Sequence, residues 1–129
     1  MRMPDFEVDG WCLEDGEARQ AANPERFVIP PPDVRHGLWV GDFAQLIFRI
    51  AVEDEEYPEE FERMWVIVRE VSEDGYIGIL DNEPGSVAEN DDFWCGIDLP
   101  FEARHVIDAR EGNEESVGIA AVPAKRPWR

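Results

Sequence analysis

The sequence predicts a mainly-β fold, a small and strongly bent SH3-like barrel of about five strands with a short N-terminal helix and an extended N-terminal arm. Three observations carry this prediction. Apolar and polar residues alternate with period two, the alternating segments are short, and turn-forming residues separate them. With 129 residues the chain has room for one domain and one hydrophobic core.

We expect the chain to divide into three parts. Residues 1–33 form an N-terminal arm with a short helix, residues 34–122 form the barrel core, and residues 123–129 form a basic tail. In the tail, Lys125, Arg126 and Arg129 follow the last acidic residue of the chain. Such a tail either folds back on the acidic body or frays, as chain ends commonly do.

Three short segments stand out in the N-terminal arm. The apolar residues of 6–13 indicate a short strand or a docking arm. Residues 15–22 favour a helix of about two turns, which Asn23 and Pro24 should end. Three consecutive prolines, residues 30–32, predict a stiff extended segment.

Three strands follow from local patterns. Residues 43–50 alternate in polarity, which predicts the first core strand. Residues 64–71 and 76–80 should form a hairpin, because the pair Asp74-Gly75 between them favours a tight turn. Gly78, inside the last of these strands, indicates a bulge or a sharp bend.

The C-terminal part of the core is less regular. We expect a fourth strand at 93–97, one helical turn at 99–103 and a fifth strand at 105–109. Residues 117–122 are apolar enough to form a further edge strand.

Acidity is the unusual feature of the composition. Thirty Asp and Glu residues face twelve Lys and Arg, which gives a net charge of −18. This charge repels nucleic-acid phosphates and anionic membrane surfaces, so we expect neither as a partner. It attracts basic proteins and speeds their encounter at low salt. A role limited to solubility is the alternative interpretation.

Seven acidic residues fall within residues 53–62 and predict an exposed loop, because clustered carboxylates repel each other and do not pack. Tyr57 and Phe61 lie among them, where they can anchor a basic, partly apolar surface by packing and cation–π contact or, alternatively, tuck the loop onto the barrel. The candidate binding residues are Glu53, Asp54, Glu55, Glu56, Tyr57, Glu59, Glu60 and Phe61.

We assign no catalytic residue, no metal ligand and no cofactor. Zinc sites need Cys and His at close spacing, whereas Cys12, His36, Cys95 and His105 are far apart in the sequence. Cys95 and His105 form a thiolate–imidazole pair if their strands are neighbours, but an apolar setting for Cys95 favours a packing role. No phosphate-binding glycine loop is present.

The ends and the cysteines indicate a cytoplasmic protein. No basic segment followed by an apolar one opens the sequence, and no apolar run reaches membrane-spanning length. With only Cys12 and Cys95, we expect reduced thiols, while a single bridge between them stays an alternative.

Several ordered motifs resemble the YegJ-like bacterial family of unknown function. The resemblance covers residues 26–109 and rests on "RFVIPPPDVR", "GDFAQLIF", "ERMWVIVREV", "DGYIGILDNEP" and "HVID". The family pattern resumes with a second Gly-Asp, where this chain has Asn90-Asp91-Asp92. The resemblance implies a fold and transfers no catalytic residues, since the family has no established activity.

The preferred functional hypothesis is an acidic binding module that engages a basic protein. One version is an immunity or inhibitor protein whose partner is a basic toxin, such as a nuclease whose phosphate contacts it mimics. The alternatives are a small enzyme that uses Cys95 and His105 or a carboxylate pair, and a purely structural or regulatory domain. The pattern leaves the oligomeric state open.

Overall fold

The computed structural model describes residues 2–81, 96–124 and 127–128. Within these residues the chain is mainly β, with a curled antiparallel sheet that forms a five-stranded half-barrel. A short helix precedes it at the N-terminal end. The predicted fold class is confirmed.

Six strands form the sheet of the described residues: the five of the half-barrel and one short strand that pairs outside this path. They are β1 (Trp11–Leu13), β2 (Phe43–Ala51), β3 (Glu59–Val71), β4 (Tyr76–Leu80), β5 (Asp98–Phe101) and β6 (Asp108–Arg110). The main path runs β1-β2-β3-β4-β5, and β6 pairs with β2. Both β1 and β6 therefore lie on the same edge of β2, at its two ends.

The described ranges also contain four short α-helices: α1 (Phe6–Asp9), α2 (Gly16–Ala22), α3 (Pro32–His36) and α4 (Glu114–Ala121). The Asp15 side chain caps α2 by accepting a hydrogen bond from the backbone N–H of Ala18, and Asn23 is its C-cap, so the predicted two-turn helix is confirmed. The three prolines are not uniformly extended. Pro31 is extended, but Pro32 begins α3, a position that suits its fixed φ.

The core lies on one face of the sheet. Ala44, Leu46, Phe48 and Ile50 of β2 are fully buried, as their period-two spacing predicts. Side chains from β3, β4, β5 and β1 complete the core, and Val106 joins them from the segment before β6. The predicted strands over 43–50 and 76–80 are confirmed.

A bulge lies beside Gly78, in the partner strand. The β3–β4 register shifts between Val68 and Glu70, where Val68 pairs with Gly78. A Cβ on Gly78 would come within 2.9 Å of the Phe101 ring and 3.1 Å of Val66. The glycine is therefore needed because Phe101 crosses the sheet surface at that point.

The predicted helical turn at 99–103 is wrong. Asp98–Phe101 is strand β5, which pairs with β4, and a 3-10 turn follows at Ala103–His105. Pro100 is tolerated because β5 lies at the end of the sheet path. Of the strand expected at 93–97, residues 93–95 lie outside the described residues. The strand expected at 105–109 is shorter and begins later, at Asp108–Arg110, because His105 belongs to the 3-10 turn.

The predicted edge strand at 117–122 is also wrong, because residues 117–121 lie in helix α4 and Val122 is its C-cap. Asn113 and Ser116 form a reciprocal capping box that starts the helix. Arg69 of β3 contacts the C-terminal end of the helix, where its guanidinium donates hydrogen bonds to the carbonyl oxygens of Ala120 and Val122. A contact from outside the segment thus stabilises the helical form.

The two ends of the chain meet on β1. The Trp128 ring packs edge-on against Trp11 with centroids 5.6 Å apart, and its indole N–H donates to the Arg2 carbonyl at 2.7 Å. The Arg2 guanidinium lies 4.3 Å from the same ring. At this residue, at least, the tail returns to the body of the protein.

Candidate functional site

The eight candidate binding residues all lie at one end of the β2–β3 hairpin. Residues 53–57 belong to the connecting loop, while Glu59, Glu60 and Phe61 open β3. The predicted loop over 53–62 is therefore too long. Glu59 already pairs with Ala51 of β2, because the ladder hydrogen bonds extend the strand although its side chains are acidic.

The loop has a defined internal geometry. One carboxylate oxygen of Asp54 accepts hydrogen bonds from the backbone N–H groups of Glu56 and Tyr57, at 2.9 and 3.0 Å. The backbone N–H of Val52 donates to the Pro58 carbonyl at 3.0 Å and closes the base of the loop. Asp54 thus shapes the loop, while Glu53, Glu55 and Glu56 have exposed side chains.

Glu59 has a structural role within the hairpin. Its carboxylate accepts a hydrogen bond from Arg49 Nε at 2.7 Å. The Arg49 guanidinium also lies 3.9 Å from the centre of the Phe6 ring in α1. The pair links the base of the hairpin to the N-terminal helix, so the Glu59 carboxylate is already engaged within the protein.

Two aromatic side chains are exposed among the acidic residues. Tyr57 has 67% of its surface exposed and Phe61 has 49%. The Arg19 guanidinium lies 5.6 Å from the centre of the Phe61 ring, at the outer limit of a cation–π contact. Neither ring is tucked into the barrel, so each presents apolar area beside carboxylates.

The charge of the loop is not compensated locally. Among the described residues, no Arg forms a salt bridge with Glu53, Asp54, Glu55 or Glu56. Like charges at this spacing sustain a negative potential that a basic surface would relieve. We call this feature the acidic tip: Glu53, Asp54, Glu55, Glu56 and Tyr57, with Glu60 and Phe61 at the start of β3.

His105 has a structural setting. Its side chain is only 3% exposed, and its Nδ1 accepts a hydrogen bond from the backbone N–H of Glu102 at 2.9 Å. Burial and, second, the neighbouring Arg104 guanidinium lower the pKa of His105 to about 4. The imidazole is therefore neutral at pH 7, and Cys95, its hypothetical partner, lies outside the described residues.

The described residues form neither a metal site nor a reactive thiol. Within the described ranges, no three His, Cys, Asp or Glu side chains are grouped so as to hold a metal ion. Cys12 is free and half-buried, and that burial raises the pKa of its thiol. A raised pKa makes Cys12 a weak nucleophile at neutral pH.

Sequence reasoning gave no role to Arg26 and Arg63. Both line a cavity of about 490 Å³ beside the segment 27–30. The only sequence signal is that Arg63 occupies a strand position among carboxylates. Its proximity to Arg26 depends on how the segment before α3 crosses the sheet, which no local pattern specifies.

Comparison with known proteins found no matching family model, no matching curated protein and no matching solved structure. The resemblance to the YegJ-like family therefore stays a prediction. In the described part of the chain, no helix has the length and apolar character required to cross a bilayer.

Proposed function

We propose that the chain is an acidic binding module that engages a basic protein surface through the acidic tip. The observation that carries this proposal is a closed, exposed loop with four consecutive carboxylates and no salt bridge to any described Arg. In the more specific proposal, the chain is an immunity protein and its partner is a basic toxin.

The internal hydrogen bonds of the loop support a binding role. Asp54 and the Val52–Pro58 backbone bond hold the loop in one shape before any partner arrives. A loop that is already ordered loses less conformational entropy on binding than a flexible one. A solubilising acidic segment has no need of such order.

The exposed rings of Tyr57 and Phe61 supply apolar contact area, which charge alone does not provide. Electrostatic attraction mainly speeds encounter and orients the partner. Affinity comes mostly from a few anchors that are buried at the interface, and Tyr is among the residues favoured there. Tyr57, next to Glu56 and largely exposed, fits that description.

The test is capture of a partner with matched variants. The whole chain, a tip variant (E53S/E55S/E56S) and a control variant (E25S/E73S/E111S) are immobilised and exposed to extract from the source cells. Both variants lose three exposed carboxylates, so their net charges are equal. Retained proteins are quantified by mass spectrometry.

The proposal predicts at least one basic protein that the whole chain and the control retain and the tip variant loses. Retention of the same proteins by all three chains would contradict the acidic tip as the site. Equal loss from both variants would show that net charge alone attracts basic proteins.

A further inference from the structure

A cavity on the opposite face of the sheet from the core has a distinct chemistry. The segment 27–30 crosses the outer side of β2, where Ile29 packs with Ile47 and Ile107. These three isoleucines are nearly fully buried, and two of them, Ile29 and Ile107, line the cavity and form its apolar floor. Beside them opens a cavity of about 490 Å³.

Two arginines line this cavity, Arg26 and Arg63, and neither forms a salt bridge with an Asp or Glu of the described residues. Six of the nine Arg residues in the described ranges form salt bridges with Asp or Glu. The other three are Arg26, Arg63 and Arg110. In a chain with thirty acidic residues, pairing is readily available. Two guanidinium groups without a salt bridge to a described carboxylate therefore make a local positive site at this cavity, on a negative protein.

The position of Arg63 follows from the sheet. It pairs in register with Ile47 and thus lies on the outer face, beside the apolar floor. Its guanidinium lies 5.7 Å from the centre of the Phe27 ring. A ring face attracts the cation but uses none of its N–H groups in a conventional hydrogen bond, so the planar fork can still donate to an oxyanion.

Two further polar side chains line the cavity, Gln45 and Asp108. Asp108 is the negative group, and one of its oxygens accepts the backbone N–H of Ala109 at 2.8 Å. Gln45 supplies an uncharged amide that can donate or accept. The lining therefore carries two positive side chains and one negative side chain, which leaves a net positive charge.

We propose that this cavity binds a small organic carboxylate with an apolar body. The volume falls within the range of small-molecule sites. Each guanidinium group can donate two parallel hydrogen bonds to a carboxylate, and the apolar floor together with Phe27 can contact an apolar body. A compact monoanion fits better than a polyanion, because the protein as a whole repels extended negative charge.

The site is independent of the acidic tip. None of the tip residues lines the cavity. Failure of either proposal therefore leaves the other intact.

The experiment uses 4-phenylbutyrate as the probe and follows backbone amide shifts of the full chain by NMR. The uncharged 4-phenylbutyramide tests the need for the carboxylate, and inorganic phosphate tests the need for the apolar body. The variants are R26Q, R63Q and, as a charge-matched control, R110Q. Arg110 also lacks a salt-bridge partner among described residues, but it does not line the cavity.

The proposal predicts saturable shifts at the amides of Gln45 and Ile107, with a Kd of about 1 mM or tighter. R26Q or R63Q should weaken binding by about 10- to 100-fold, the effect of losing a charged hydrogen bond, whereas R110Q should not. The amide analogue and phosphate should each bind more weakly than the carboxylate by about tenfold or more.

Three outcomes would overturn the proposal of a carboxylate site at this cavity. One is the absence of saturable shifts at the cavity amides. Another is equal binding of the carboxylate and the amide, which would indicate a purely apolar site. The third is equal weakening by R63Q and R110Q, which would indicate nonspecific attraction of anions. Spectra of the free variants show directly whether each one is folded.

Discussion

Asp54 accepts a hydrogen bond from the backbone N–H of Tyr57 at 3.0 Å through the same carboxylate oxygen that accepts from Glu56. This relationship places the exposed Tyr57 ring directly after a fixed turn. It also separates the acidic tip into one residue that shapes the loop and others that face solvent.

The first prediction concerns this turn. D54A removes the acceptor and should speed hydrogen exchange at the Tyr57 amide by about tenfold, since a hydrogen bond to a charged group is lost. D54N keeps an oxygen acceptor and should stay close to the wild-type rate. Exchange is measured residue by residue by NMR. Similar rates in D54A and the wild type would show that the Asp54 bonds do not order the loop.

The second prediction separates anchoring from stability at Tyr57. Y57A should change the free energy of unfolding by less than about 0.5 kcal/mol, because the ring is 67% exposed. It should weaken partner binding by about 2 kcal/mol if the ring is an interface anchor. The control is W39A, which removes an aromatic side chain of the same 67% exposure outside the acidic tip. Equal losses of affinity in both variants would remove Tyr57 as an anchor.

The third prediction concerns pH and His105. Burial and Arg104 lower its pKa to about 4, below the ordinary value of 6.5, so the unfolded chain binds more protons between these pH values. This contribution to stability is complete above about pH 6.5 and is lost as the pH falls toward 4; in full it is about 3 kcal/mol.

The matched variant for this prediction is H105N, whose side-chain oxygen can accept the Glu102 N–H but does not titrate. Urea unfolding from pH 7 to pH 4.5 should show a steeper loss of stability in the wild type than in H105N. Parallel curves would mean that His105 is not the group that titrates.

The fourth prediction tests the crossing of Phe101 over the sheet. G78A should destabilise the protein by about 1–3 kcal/mol, because the new methyl group overlaps the Phe101 ring and Val66. G118A, at an exposed position of α4 with no atom within 4 Å of the added Cβ, should stabilise it by about 0.5–1 kcal/mol. Denaturant unfolding measures both, and an unchanged G78A would contradict the close packing.

Local patterns were sufficient for the middle of the chain. Alternation specified β2, and the Asp74-Gly75 turn specified β4 and its pairing with β3, because these signals act between near neighbours. Local patterns failed where contacts with distant residues determine the secondary structure of a segment. Helix α4 has a local signal at its start, the Asn113–Ser116 capping box, but its C-terminal end depends on Arg69, and β5 depends on pairing with β4. Neither contact is visible in the residues of the segment itself.

The candidate site was predictable in composition but not in detail. Clustered carboxylates with Tyr57 pointed to an exposed, acidic segment on charge alone. The internal roles of Asp54 and Glu59 depend on backbone shape and on Arg49, which lies across the hairpin. The cavity at Arg63 depends on a segment that is distant in sequence, so no spacing rule could find it.

The most direct test of the acidic tip is the association rate constant of the captured basic partner, measured by stopped flow at several salt concentrations. We expect E53S/E55S/E56S to slow association by about tenfold at low salt and to flatten its salt dependence, while E25S/E73S/E111S stays near the wild-type rate. Equal rates and equal salt dependence in the two variants would contradict a binding site at the acidic tip.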